Sequence, residues 1–233
     1  MRFWEIDFLR GFGIILMLIS NFVTDLQIFL NYPSNQFWDL FAKFTASIFV
    51  FVSGVSFYVS YTTRNDFKKI LRRFVKLMSL GILITITTAL TLKIGTIYFG
   101  ILHFLSLAWI LAIPFYRFGS FAILPALMFI LTHPIVDSIH IDNLALLPLG
   151  ITPNNFYTFD YFPIFPWFGV FLIGFPFGKL LCKKKPSSSD IPIIRLICYI
   201  GRNSLKIYLI HQPVLVTSIV IVFGDVNEIL VHL

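Results

Sequence analysis

Six ionisable side chains stand in stretches of this chain that are otherwise apolar: Asp25, Asp39, Lys43, His103, Asp160 and His211. Charged groups are costly at hydrocarbon depth, and where they persist they mark function by default. Two histidines, three carboxylates and a lysine are the equipment of general acid–base chemistry. His103 could take a proton from a hydroxyl or an amine, with Asp25 or Asp160 orienting its ring. His211 could donate to a developing oxyanion or protonate a leaving group. A second polar set, Arg10, Arg202, Asn203, Ser204 and Lys206, has the donors to hold a phosphate-bearing cofactor. Cys182 and Cys198 form neither a disulfide framework nor a metal knuckle, and no metal is expected.

Each of these residues also has a plain structural reading. Asp39 and Lys43 are spaced i, i+4 in the favourable order for an ion pair. Asp25 could make a helix-packing hydrogen bond, and His103 an interhelical one. His211 precedes Gln212-Pro213, and the proline frees a backbone carbonyl that either side chain could satisfy. The inner basic residues could serve only to set topology. His133, His140 and His232 read as loop or terminal residues.

The elements that would position these groups follow from composition. The 233 residues are 58% hydrophobic and 12% charged, with 28 Phe, 9 Tyr and 4 Trp. Soluble domains carry about 25% charged residues, and so apolar a chain has too little polar surface to cover a water-soluble fold. Disorder needs the opposite composition. The chain therefore reads as an all-α, polytopic transmembrane bundle, one integral-membrane domain over 1–233. A crossing helix needs about 20 residues, which suits about seven spans. They are placed at Phe8–Leu30, Phe37–Tyr61, Leu77–Leu92, Ile97–Tyr116, Phe118–Thr132, Tyr161–Cys182 and Leu205–Phe223. Glu5 and Asp7 interrupt the basic start, so the first apolar run reads as a retained span rather than a cleaved signal.

Between spans two and three, Arg64 to Lys76 alternates basic and apolar residues at helical spacing, the pattern of an amphipathic helix on an anionic leaflet. A loop from His133 to Phe159 and a flexible linker from Lys183 to Asp190 follow. The apolar piece Ile191–Ile200 is too short to cross and reads as interfacial. With the N-terminus in the cytoplasm, all but two of the 18 basic residues fall on inner loops, Lys43 and Lys93 being the outer pair. The +7 net charge is then a positive-inside bias rather than a sign of nucleic-acid binding. Span six carries three prolines; Pro163 and Pro166 should kink its outer end, and Gly174 and Gly178 form a GxxxG face.

Four segments together resemble the heparan-alpha-glucosaminide N-acetyltransferase catalytic-domain family. They are Arg2-Phe-Trp-Glu-Ile-Asp-Phe-Leu-Arg-Gly11, Phe99-Gly-Ile-Leu-His103, Asp160-Tyr-Phe-Pro-Ile-Phe-Pro-Trp-Phe-Gly169 and Gly201-Arg-Asn-Ser-Leu-Lys-Ile-Tyr-Leu-Ile-His-Gln-Pro213. Phe51-Val-Ser-Gly54 is also similar to the family. The resemblance implies acyl transfer across a cell membrane. Acetyl-CoA, or another acyl-CoA, would donate from the cytosol, and a small-molecule acceptor, a glycan or amino sugar, would accept on the far side. Many relatives carry a histidine late in span one, where Asn21 stands here; the first outer stretch, Tyr32-Pro-Ser-Asn-Gln36, has none.

The leading expectation is a membrane acyltransferase in a lipid bilayer, open to homo-oligomerisation and without nucleic acid. A proton-coupled transporter would use the same buried Asp25, Lys43 and histidines, but the two halves of the sequence show no internal repeat. A catalytically inactive scaffold is the third reading.

Overall fold

The computed structural model describes residues 3–30, 32–64, 66–92, 94–185 and 190–223. Arg2, Lys93, His232 and the core of the 183–190 linker lie outside the described residues. The chain is all-helical: α1 (Trp4–Phe29), α2 (Gln36–Arg64), α3 (Phe67–Thr91), α4 (Ile101–Phe115), α5 (Ile123–Asp137), α6 (Ile164–Cys182), α7 (Pro192–Arg202) and α8 (Ser204–Phe223). Among the described residues, six stretches are long and apolar enough to cross a membrane: α1, α2, α3, α6, α8 and the 37-residue run Ile101–Asp137.

That long run is two helices rather than one. A 3-10 segment, Tyr116–Ala122, separates α4 from α5, and Gly119 within it adopts φ 52°, ψ −114°. A side chain is strained at that φ, so the glycine sets the break. The expected boundary between spans four and five falls on this segment, and counting its arms separately gives about seven spans. Each arm has 15 residues, about 22 Å at 1.5 Å per residue, which is short of the ~30 Å hydrocarbon slab.

Several expected boundaries move. The basic stretch and span three are not two elements, because α3 runs unbroken from Phe67. Asp66 starts it, its side chain accepting from the Lys69 N–H at 3.3 Å. At 25 residues the helix is about 37 Å long, so its basic turns can project beyond the ~30 Å slab while its apolar turns cross it. Residues 97–100 precede α4, which puts His103 in its first turn rather than two turns in. α5 extends to Asp137, drawing His133 and Asp137 out of the expected loop, and Pro134 lies inside the helix despite lacking an N–H for its ladder. α6 begins at Ile164, three residues later than expected. Phe165 just inside it has non-helical φ/ψ, in line with the kink expected from Pro163 and Pro166.

The chain divides into two compact units, residues 1–52 with 185–233, and residues 53–184. In the first unit, α1 packs against α7 and α8. The α1–α7 crossing is close because it is built from glycine. A Cβ on Gly11 would strike the Ile197 carbonyl, and one on Gly201 would strike the Asp7 carbonyl. Cys198 fixes the same crossing, its thiol donating to the Trp4 carbonyl at 3.4 Å. Glu5 and Asp7 occupy the first turn of α1, where negative charge opposes the exposed N–H groups of the helix start. α7 has 11 residues, about 16 Å, and leaves Ile193, Leu196 and Tyr199 exposed. An interfacial helix fits that length and face.

In the second unit α6 is central and packs against α5, α4 and the 3-10 segment. Its core is aromatic: Phe57, Phe104, Phe168, Phe171 and Phe175 are fully buried. Phe57 stacks on Phe175 with ring centroids 5.5 Å apart. Gly178, of the expected GxxxG pair, lies against Val55 and Tyr58. The outer face of α5 carries exposed Leu124, Met128, Leu131 and Ile135. A continuous apolar face of that kind belongs in lipid rather than water, and the protein is a multi-pass membrane protein.

Candidate active site

Four residues expected to do chemistry fall into two clusters, one within each unit. In the second unit, α4 presents His103. The residue is buried, at 6% exposure, in a flat slot. Phe99 stacks on one side of the ring, with centroids 5.8 Å apart at 30°. Gly81 of α3 lies on it as well: a Cβ there would come within 2.9 Å of the ring. The ring's polar contact is Thr85, whose hydroxyl lies 3.5 Å from Nε2. Thr85 already donates its one proton to the Ile97 carbonyl, so toward the imidazole it offers a lone pair. Nε2 therefore carries the hydrogen, and Nδ1 holds the free lone pair of a base.

Asp160 does not orient this ring. Its Oδ2 accepts from the Ile101 N–H at 3.0 Å, which places the carboxylate on the first turn of α4. A helix start has unsatisfied N–H donors and a positive dipole end, and the carboxylate answers both. Gly100, the residue before the helix, must lack a side chain here, because a Cβ would strike the carboxylate. Backbone pairing of Phe162 N–H with the Phe99 carbonyl at 3.0 Å holds the segments together. Asp160 and His103 thus share the head of α4, one as its cap and one as a buried side chain of its first turn. Tyr161 follows, donating to the Leu147 carbonyl at 2.8 Å. Burial, then the nearby Asp137 charge, pushes its phenol up to about 12.

In the first unit, α1 and α8 meet through polar side chains. His211 Nδ1 bonds the Tyr208 carbonyl; a carbonyl only accepts, so Nδ1 carries the hydrogen. Asn21 Nδ2 then donates to Nε2 at 2.9 Å. Both ring nitrogens are satisfied in one neutral tautomer. One helical turn along α1, Asp25 accepts from Gln212 Nε2 at 2.7 Å through Oδ1. Asp25 is 3% exposed, and its Oδ2 has no hydrogen-bond partner among the described residues. Neither histidine ring takes its hydrogen bond from Asp25 or Asp160, so the expected carboxylate-oriented imidazole gives way to a threonine and an asparagine.

The phosphate-binding candidates cluster at the α7–α8 junction. Arg202 and Lys206 are exposed, and Ser204 is half-buried. Asn203 ends α7 and donates its side-chain amide to the Tyr199 carbonyl at 3.0 Å. The contact of Gly201 with the Gly11 backbone sets Arg10 and Arg202 each one residue from the same crossing. Two guanidinium groups and an ammonium at such a junction fit the charge of phosphate esters. By contrast, Asp39 and Lys43 are exposed on α2. No ion pair joins them among the described residues. No group of three potential metal ligands occurs among the described residues.

Sequence reasoning passed over Thr85, Gly81 and Gln212 as site residues. Gly81 and Thr85 stand i, i+4 on α3, a small-residue gap beside a hydroxyl, which is the available signal. Gln212 adjoins His211, and its place before Pro213 points to the freed backbone carbonyl rather than to Asp25.

Apolar helices long enough to cross a bilayer define the class: a multi-pass helical membrane protein, with buried imidazoles in each unit and exposed cations at the α7–α8 junction. The chain belongs to the heparan-alpha-glucosaminide N-acetyltransferase catalytic family, which it matches over residues 2–213. No curated protein and no solved structure matches it.

Proposed function

We propose that this protein is a membrane acetyltransferase that moves an acetyl or other acyl group from cytosolic acyl-CoA to an amine or hydroxyl of a sugar on the far side of a cell membrane. The N-terminus is cytoplasmic in this reading, and residues 1–233 act as one catalytic domain. The family match over 2–213 supports the reaction class. The observation that carries the residue assignment is the buried His103 ring in a slot walled by Phe99 and Gly81, with Thr85 Oγ1 3.5 Å from Nε2; because that hydroxyl gives its proton to the Ile97 carbonyl, we assign the tautomer that leaves Nδ1 as the base.

Acyl-CoA, when bound, supplies an activated thioester. Arg10, Arg202 and Lys206, with Asn203 and Ser204 at the same junction, hold its phosphates. His103 Nδ1 removes the proton from the acceptor nitrogen or oxygen as the acyl bond forms. The proton count closes, since the departing thiolate needs the proton that the base has taken. Asp160 is a positioning residue that fixes the start of α4 and hence His103. His211 is assigned to the thiolate or the oxyanion as the imidazolium: Nδ1–H stays on the Tyr208 carbonyl, and Nε2 first takes up a proton as the Asn21 amide turns away, then donates it. Asp25, through Gln212, sets the rotation of α8 that aims His211.

The deciding experiment is transfer of radiolabelled acetyl from acetyl-CoA to amino-sugar and sugar acceptors in proteoliposomes. His103→Gln should lower transfer by about 100-fold or more, the usual worth of a general base. Full activity in that variant removes His103 from the mechanism. The half-satisfied carboxylate of Asp25 favours a second reading, proton-coupled transport. Proton flux into proteoliposomes without CoA, abolished by Asp25→Asn, would establish it.

A further inference from the structure

The head of α3 carries a feature that acyl transfer does not use. Its five cations, Lys68, Lys69, Arg72, Arg73 and Lys76, fall within one arc of about 140° when placed at 100° per residue. Charges that only set topology need no common face. The inner edge of this stripe is also built into the fold. The Arg73 guanidinium lies 3.9 Å over the ring of Trp109. Trp109 is itself fixed by a hydrogen bond from Nε1 to Ser53 Oγ at 3.1 Å and by an edge contact with Phe57 at 5.3 Å. One turn earlier, Lys69 Nζ donates to Ser60 Oγ at 3.2 Å. A stacked guanidinium keeps a planar fork of donors in a set orientation at little entropic cost.

Beside these cations a small cleft opens, floored by Phe57, Ile70 and Trp109 and rimmed by Ser60, Tyr61 and Lys69. Asp66 also stands on the rim, but it turns Oδ1 to the Lys69 N–H. Along the same helix, Phe67, Leu71, Val75, Ile82, Leu83 and Ile86 are exposed. Cations therefore sit at the end of an apolar strip that runs down a membrane-spanning helix. A ligand matching both parts has a phosphate at one end and hydrocarbon at the other.

We propose that the head of α3 is a binding site for an anionic phospholipid, with the headgroup phosphate held by Lys69 and Arg73, the outer cations Arg72 and Lys76 adding to its field, and an acyl chain lying along the exposed face of α3. The 3.9 Å Arg73–Trp109 stack is closer than the 5.9 Å contact of Arg202 with Tyr199 at the α7–α8 junction, and it distinguishes this site from the exposed cluster Lys183 to Lys185, which has no cation–π contact among the described residues. Juxtamembrane cations each contribute about 1 kcal/mol to attraction for anionic lipid, a factor of about five.

The test uses the full chain, purified in neutral detergent and delipidated, then given phosphatidylglycerol or phosphatidylcholine and analysed by native mass spectrometry. Phosphatidylglycerol should be retained about fivefold or more over phosphatidylcholine. Lys69→Gln and Arg73→Gln should each cut that preference by about fivefold, while Lys183→Gln/Lys184→Gln/Lys185→Gln leaves it unchanged. Lys69 is exposed, so its variant keeps the proposal testable if loss of the Arg73 stack unfolds the protein. Equal retention of the two lipids, or the same loss from the 183–185 variant, overturns the proposal. So does displacement of phosphatidylglycerol by millimolar inorganic phosphate, which would assign the site to a soluble anion.

Discussion

Hydrogen-bond direction decides what each histidine can do. A carbonyl cannot donate and a hydroxyl has one proton, so Thr85 leaves His103 with a basic Nδ1, whereas Tyr208 and Asn21 occupy both nitrogens of His211. Thr85→Val should keep the slot's shape and release the tautomer; kcat of acyl transfer should fall with KM little changed, and unchanged kcat would deny Thr85 a positioning role. Gln212 matters for a different reason. It is the hydrogen-bond partner of a carboxylate that is 3% exposed, and losing one partner of a buried polar pair costs more than the bond's net worth. Gln212→Ala should destabilise the protein by about 1 kcal/mol or more, read as a lower unfolding temperature in detergent, and Asp25→Asn in the same background should recover part of it. Tyr161 sets a pH dependence. Its folded phenol loses its proton near 12 against 10.0 for the free group. The folded state thus holds the proton more tightly, and this contribution is complete below pH 10 and lost as pH rises toward 12. Tyr161→Phe should flatten the alkaline fall in thermal stability over that window.

Among the elements, the α1–α7 crossing has the least slack. Backbone carbonyls, which cannot rotate away as side chains do, fill the space where a Cβ on Gly11 or Gly201 would sit. Gly201→Ala should therefore cost roughly 1–3 kcal/mol through overpacking and should loosen the junction that bears Arg202 and Lys206. Weaker acetyl-CoA binding with normal expression is the expected readout. An unaltered Kd and unfolding temperature would show that the crossing relaxes freely. α3 teaches a related lesson about length. Its basic and apolar halves look like two elements in sequence because hydropathy changes abruptly at Leu77. Nothing in the backbone stops the helix there, since no proline or glycine intervenes and Asp66 has already capped its start.

For the whole molecule, the distribution of basic residues predicts sidedness. In a chain cleared of Cys182 and Cys198, single cysteines at Lys68 and Lys184 should react only with reagents applied from the cytoplasmic side. Cysteines at Ser34 and Asn143 should react from the opposite side. Labelling of Ser34 and Lys68 from one compartment would break the assigned topology.

Composition and hydropathy alone determined that this is an all-helical, multi-pass membrane protein, because a bilayer admits few ways of satisfying the backbone and helices are the one this pattern supports. The same strings of residues, Phe99 to His103, Asp160 to Gly169 and Gly201 to Pro213, also disclosed the family. Partners could not be read that way. Asp160 reaches the N–H of Ile101 across 59 residues, and Asn21 reaches His211 across 190. The sequence offered carboxylates as the natural companions of the two imidazoles. Only tertiary packing turned one carboxylate into a helix cap, tied the other to Gln212 and left a threonine and an asparagine beside the rings. Helix rotation and the glycine contacts choose which side chains meet, and single-residue spacing along the chain does not encode either.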